Sequence, residues 1–446
     1  MSPETPPPAA PPVPVVARRI AALAGPTMAL ATLQSAGQLI ETVLAARQGT
    51  MALAGWALVL PFTLLMQQMS AGAMGGGVVS AIARSLGAGR REDASALVLH
   101  AVLIALGFAT VYVVVLAVFP RTVLGAIGGA EAAAAAAAYS AWLFGAGAVP
   151  AWLTNTLASV LRGGGKHGLA ARITVFSALV QPPLAWALME PAGLGLPGLG
   201  IAFAISQWGA AIAMIVVVGR GSAGFVPTLR IAPRRALFGR ILSVGAVACA
   251  MATIANLTTI LVTASIAVHG AAAVAAYGIS ARLEFLMVPL AFGVGSALTA
   301  LVGRAVGAGD WATARRTAWV GGIAAFVVCA AFGAAVGLFP HGFAGFFTSD
   351  PEVAALAARA LGYVGPAFGA FGLGMCLYFA SMGAGRMVWP ATAGLTRIAV
   401  AVGGGALLAG PLGMGLDGQF LAVALGITAF GGLIAGSVRP GVWSAR

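Results

Sequence analysis

Residues 70–100 and 290–320 carry one pattern twice, and the correspondence continues through most of the chain at a lag of 220. Gly75 meets Gly295, Arg84 meets Arg304, Gly87-Ala88-Gly89 meets Gly307-Ala308-Gly309, and Ala94 meets Ala314. Further along, Phe119-Pro120 meets Phe339-Pro340, and Gly163 and Gly165 meet Gly383 and Gly385. Gly193, Gly195, Leu196 and Gly198 then meet Gly413, Gly415, Leu416 and Gly418, and with a one-residue shift Gly49 meets Gly270. Gly–Gly coincidences at this lag more than double the roughly four or five that composition alone gives. The chain is a duplicated half, so whatever one half folds into, the other must fold into as well.

Each half is apolar enough to belong in a bilayer. Hydrophobic residues make up 60% of the 446 and charged residues only 8%, whereas a soluble domain carries about a quarter charged residues on its surface. Apolar segments long enough to cross about 30 Å of hydrocarbon as helices recur at 20–46, 51–80, 95–118, 132–160, 168–190 and 195–219, then at 237–266, 272–303, 314–338, 354–381, 388–410 and 416–438. The expected fold is an all-α integral membrane protein, with twelve transmembrane helices in two parallel six-helix repeats around a central cavity. Six spans per half is an even number, so both halves enter the membrane from the same side, a duplication typical of secondary transporters.

Charge placement gives the orientation. With the N-terminus inside, twenty of the 24 Lys and Arg residues fall on the cytoplasmic side, leaving Arg47, Arg121, Arg282 and Arg359 for the other. The net charge of +13 then reflects orientation and contact with anionic lipids, not nucleic acid, whose binders gather basic residues on one soluble face. The expected location is the plasma (inner) membrane, with both termini cytoplasmic. Residues 1–17 read as a disordered Pro-rich tail without signal-peptide features, so the first helix is expected to remain as an uncleaved anchor. An N-terminal lobe at 18–219, a cytoplasmic linker at 220–236, a C-terminal lobe at 237–440 and a short tail at 441–446 complete the expected organisation.

Enzyme signatures are missing from the sequence. Gly163 to Gly168 formally matches GxGxxG but follows a membrane span instead of a strand. Cys249, Cys329 and Cys376 have no CxxC spacing, and His100, His167, His269 and His341 form no metal-ligand pattern. A non-enzymatic protein without a metal or organic cofactor is expected. The glycine-rich turns at 87–89 and 307–309 end one helix and open the next, with Asp93 and Asp310 as expected caps.

Function is to be sought among polar residues inside the spans. Thr27, Gln34, Gln38 and Glu41 lie on one face of helix 1, at steps of 7, 4 and 3. Thr253, Asn256, Thr259 and Thr263 form a looser stripe on helix 7. Such stripes either line a cavity or tie helices together by hydrogen bonds of about 0.6–2 kcal/mol. Gln34, Gln38, Gln67, Asn155, Gln181, Asn256 and Thr259 form the expected substrate-cavity set. Glu41 and Glu284 are the carboxylates well within apolar spans, where a charge costs about 2.5–3.5 kcal/mol, and they are the cation-coupling candidates. Removal from water favours the neutral form of a carboxylic acid, the property needed to exchange a proton or sodium ion for a cationic substrate. Alternatively, Glu41 pairs with Arg47 and Glu284 with Arg282. A kink at Pro26, on the helix that carries Glu41, would couple the state of that carboxyl to cavity shape.

Residues 18–440 resemble the multidrug and toxic compound extrusion (MATE) family. The resemblance rests on the duplication and on Ile40-Glu41-Thr42-Val43 running to Gly49. It rests also on Pro289 with Gly293 through Gly309, on the Arg162-Gly163 to Gly165 turn, and on the turn from Gly193 to Gly198. It implies two six-helix lobes around a cavity open alternately to each side, exporting cationic, amphipathic compounds against inward proton or sodium flow. Family members commonly place Asp-Thr where this chain has Glu41-Thr42, and some add an Asn and an Asp on helix 5, where this chain offers Gln181 and no acid near Ala185. Others carry acids on helices 7 and 10, where this chain has Asn256 and none. The expected function is a monomeric antiporter, with protons or sodium as coupling ion and organic cations, amphipaths and membrane lipids as partners. A flippase of lipids or lipid-linked sugars is the alternative, though intramembrane arginine is scarce for that role.

Overall fold

The computed structural model describes residues 11–444, and the described residues are helical without strands. Twelve long helical segments follow in order. In the first repeat they are α1 (Val13–Arg47), α2 (Thr50–Gly87), α3 (Arg91–Val118), α4, α5 (His167–Met189) and α6 (Leu196–Gly219). In the second they are α7 (Arg235–Ala267), α8 (Ala271–Gly307), α9 (Trp311–Leu338), α10 (Pro351–Ala384), α11 (Val388–Ala409) and α12 (Gly415–Ser437). Segment α4 is two helices, Gly129–Gly145 and Ala148–Gly163, bent by 42°.

Ten of the described helices are long and apolar enough to cross a membrane, or eleven with α4 taken as one span. The protein is therefore a multi-pass membrane protein, close to the twelve expected spans. The exception is α5, whose hydropathy is diluted by Gln181, Pro182 and Pro183 in mid-helix. The expected tail at 1–17 falls largely outside the described residues. Its last part is helical instead, because α1 begins at Val13, and Pro14 fits a first turn, where its missing N–H has no partner to lose.

Contacts divide the chain into two units. One runs from Gly25 to Ala246; the other takes the described residues up to Ala24 and from Val247 onward. The division falls inside α1 and inside α7, near the repeat partners Gly25 and Gly245. Segment 220–236, read from sequence as a linker, belongs wholly to the first unit.

The repeat is visible in backbone detail. Gly49 and Gly270 stand before α2 and α8 with φ of 100° and 102°, a region that side chains rarely adopt. Asp310 caps α9, its Oδ1 accepting from the Thr313 N–H at 2.9 Å. Asp93, also expected as a cap, does something else: it sits in the first turn of α3 and accepts from Arg240 at 2.7 Å.

Both units pack small residues around aromatic ones, as helices must when lipid supplies no hydrophobic drive between them. In the first unit Trp152 and Phe144 are fully buried, with Phe108 stacked on Trp152 at 5.1 Å and Tyr112 on Phe144 at 6.0 Å. In the second, Phe368 and Phe420 are fully buried among alanines at 273, 276, 344, 357 and 360. The three cysteines are buried and form no disulfide among the described residues.

Candidate functional site

The first unit contains a cavity of about 140 Å³, lined by residues of α1, α2, α4, α5 and α6. Helical spacing explains the α1 wall, since Gln34, Gln38 and Glu41 lie at steps of 4 and 3 and share a face. Opposite, Gln181 of α5 donates from Nε2 to the Glu41 Oε1 at 2.5 Å. Among the described residues no cation lies within ion-pair distance of Glu41. Arg47, the alternative partner in sequence, pairs with Glu190 at 3.3 Å, and Trp186 Nε1 also donates to Glu190, at 2.9 Å.

Another part of the wall is an amide cluster at an irregularity in α2. Residues 68–74 adopt π-helical turns, a register change often found at functional sites. Gln67 immediately precedes it and Ser70 lies within it. Asn155 of α4 donates from Nδ2 to both, at 3.2 Å to Gln67 Oε1 and 2.8 Å to Ser70 Oγ. One turn on, a Cβ at Gly75 would come within 2.7 Å of Ser159 Oγ and of the Ser70 carbonyl. Only glycine allows α2 and α4 to approach there.

The cavity thus gathers Gln34, Gln38, Glu41, Gln67, Asn155 and Gln181 from the sequence candidates. Sequence reasoning missed Thr63, Tyr139, Thr154, Thr174, Ser177 and Gln207, which line the same cavity. Gln207 carried a usable signal, an amide in the largely apolar span of α6. Tyr139 is buried and could not be told in sequence from core packing. Among the described residues no Lys, Arg or His lines the cavity.

Three candidates lie elsewhere. Asn256 and Thr259 bond to carbonyls of their own helix, Ala252 at 2.9 Å and Ala255 at 3.3 Å. Thr253 and Thr263 do the same, at 3.1 and 2.8 Å, the i−4 pattern by which short polar side chains satisfy themselves. Glu284 accepts from Arg397 Nη2 at 2.6 Å, with both side chains more than four-fifths buried. Its partner is therefore Arg397 of α11, not Arg282, and that guanidinium also lies over the rings of Phe371 and Phe430, at 5.8 and 6.0 Å.

A duplicated helical membrane protein with a polar cavity inside one repeat has the architecture of a secondary transporter. The sequence model of the MatE family matches residues 26–187 and 246–404, one stretch in each repeat, and the chain belongs to that family. Solved structures agree on the fold. A MOP superfamily transporter from Pyrococcus furiosus matches with a TM-score of 0.87 at 21% identity over 96% of each chain. A Vibrio cholerae MATE transporter in a bent form matches at 0.84 and 20% identity, over 96% of this chain and 97% of that one. An outward-facing multidrug resistance MATE family transporter of the MOP superfamily matches at 0.84 and 21% identity over 93% of each. No curated protein matches.

Proposed function

We propose that this transporter is an antiporter that exports small cationic or amphipathic molecules in exchange for protons or sodium ions, with Glu41 as the exchanging group. The observation that carries the reading is a carboxyl group, without an ion-pair partner among the described residues, facing a cavity of neutral amides and hydroxyls. Such a carboxyl can neutralise one positive charge at a time, either the coupling ion or the substrate, which makes the two compete. The Gln181 amide holds the carboxyl toward the cavity wall, and Gln34, Gln38, Gln67, Asn155 and Gln207 offer donors and acceptors that a polar ligand would use. Glu284 does not share this role: its charge is already met by Arg397. The absence of cationic side chains among the described residues of the lining weighs against an anionic lipid-linked cargo in this cavity. In this reading the protein works as a monomer in the inner membrane, both termini cytoplasmic, with no catalytic step and no cofactor beyond the coupling ion.

The test is efflux of a fluorescent organic cation from proteoliposomes under separate proton and sodium gradients, wild type against Glu41→Gln. Gradient-driven efflux that Glu41→Gln abolishes at equal incorporation is the expected result. Efflux that survives the substitution would remove Glu41 from the mechanism. No movement with either gradient, together with scrambling of a labelled lipid, would replace the antiporter by a flippase.

A further inference from the structure

Segment 220–234, between α6 and α7, is largely irregular, yet it is tied down along its length. Ala223 and Phe225 are buried. Ser95 Oγ donates to the Val226 carbonyl at 2.5 Å and lies 2.7 Å from Thr228 Oγ1, and the Thr228 N–H reaches the Ser95 carbonyl at 3.4 Å. Near the far end, the Arg234 N–H donates to His100 Nε2 at 2.8 Å, while His100 Nδ1 is bonded to the Ala96 carbonyl at 2.8 Å. The strap is therefore held on α3 at Ser95 and His100, and its outward side chains have a fixed place.

Those outward side chains are of two kinds. Val226 and Leu229 are 64% and 60% exposed, and Arg230, Arg234 and Arg235 are exposed beside them in sequence. The start of α3, held against the strap through Ser95, adds exposed Arg90 and Arg91. The nearby acids do not balance these charges. Asp93 is taken by Arg240 at 2.7 Å and Arg90 at 3.5 Å, which leaves Glu92. The strap connects the ends of two helices long and apolar enough to cross a membrane, which puts it at a level near the bilayer surface. Exposed aliphatic side chains followed by arginines are what an interfacial segment presents to that surface: apolar groups for the acyl boundary, guanidinium groups for phosphates.

We propose that residues 226–235 form an interfacial anchor that inserts Val226 and Leu229 at the bilayer surface and binds anionic phospholipid headgroups through Arg230, Arg234 and Arg235. The anchor is independent of the export cavity, and its test reads lipid binding, not transport. Leu229→Cys in the full-length chain gives an added exposed thiol, the native cysteines being buried, and it can carry an environment-sensitive fluorophore. The protein is placed in nanodiscs of phosphatidylcholine, alone or with phosphatidylglycerol, each with and without brominated tails. Quenching by brominated phosphatidylglycerol should exceed quenching by brominated phosphatidylcholine several-fold and fall with rising salt. Adding Arg230→Gln, Arg234→Gln and Arg235→Gln should abolish that preference, given on the order of fivefold per arginine near an anionic surface. A separate Val226→Ser variant, with all arginines kept, should lower quenching in both lipids while leaving the preference. Equal quenching in the two lipids, or a preference unchanged by the triple substitution, would overturn the proposal. So would loss of the preference in millimolar inorganic phosphate at constant ionic strength, which would point to a site for free anions.

Discussion

A single hydrogen bond defines the candidate site at the scale of the residue: the Gln181 amide donating to Glu41. Gln181→Leu removes that donor and keeps the volume. Hydrogen bonds to charged groups contribute about 1.5–3 kcal/mol, so coupled efflux should fall tenfold or more at unchanged expression, which a proteoliposome assay would read. Gly75→Val is the packing counterpart. Its side chain would push against Ser159 and the Ser70 carbonyl, lowering stability by about 1–3 kcal/mol in a thermal scan in detergent. Glu41 was legible in sequence because a carboxylate in an apolar span is costly wherever it sits. The α7 stripe was not, because an Asn or Thr that bonds to its own helix and one that faces a cavity have the same spacing. In the structure Thr253, Asn256, Thr259 and Thr263 each bond to a carbonyl of their own helix.

Among elements, α8 and α11 are joined by the Glu284–Arg397 pair, largely removed from solvent and backed by Phe371 and Phe430. Removing one member of a buried pair strands the other charge, at about 3–5 kcal/mol, whereas replacing both by apolar residues is often neutral. Arg397→Leu alone should therefore lower the unfolding midpoint markedly, and Glu284→Leu with Arg397→Leu should restore most of it. A double variant no more stable than the single one would show that the pair does not act as a unit. The spans themselves were readable from sequence to within several residues at most ends, because a bilayer demands uninterrupted apolar length. The π-helical turns at residues 68–74 were not. They need no breaking residue, only a shift of hydrogen-bond register, and the run Gln-Met-Ser-Ala-Gly-Ala-Met carries no mark of one.

For the whole molecule, the count of spans decides topology, and α5 is the segment on which the count turns. If α5 crosses the bilayer, the total is twelve and both termini share a side; if it does not, the termini are opposed. Twelve is the expected outcome, checked by placing single cysteines near each end of the chain and labelling them with an impermeant maleimide in sealed, oriented vesicles. Labelling of both from one side, or of neither, fits twelve spans. The duplication made this architecture visible before any coordinate did, since two copies of a six-helix pattern can only be satisfied together. What duplication could not convey is asymmetry: the carboxylate of the first repeat faces neutral amides, while that of the second is matched by an arginine.

The lone Glu41 has an electrical consequence. A carrier with one carboxyl group in its cavity can bring in one proton or sodium ion and send out one monovalent cation, so a full cycle displaces no net charge. Such an exchanger is blind to voltage: a potential of 100 mV, which does about 2.3 kcal/mol of work on each charge it moves, leaves its steady state where the ion gradient alone sets it. Clamping vesicles with potassium and valinomycin should accordingly leave the accumulation ratio of a monovalent substrate unchanged, while a divalent one should respond to the clamp.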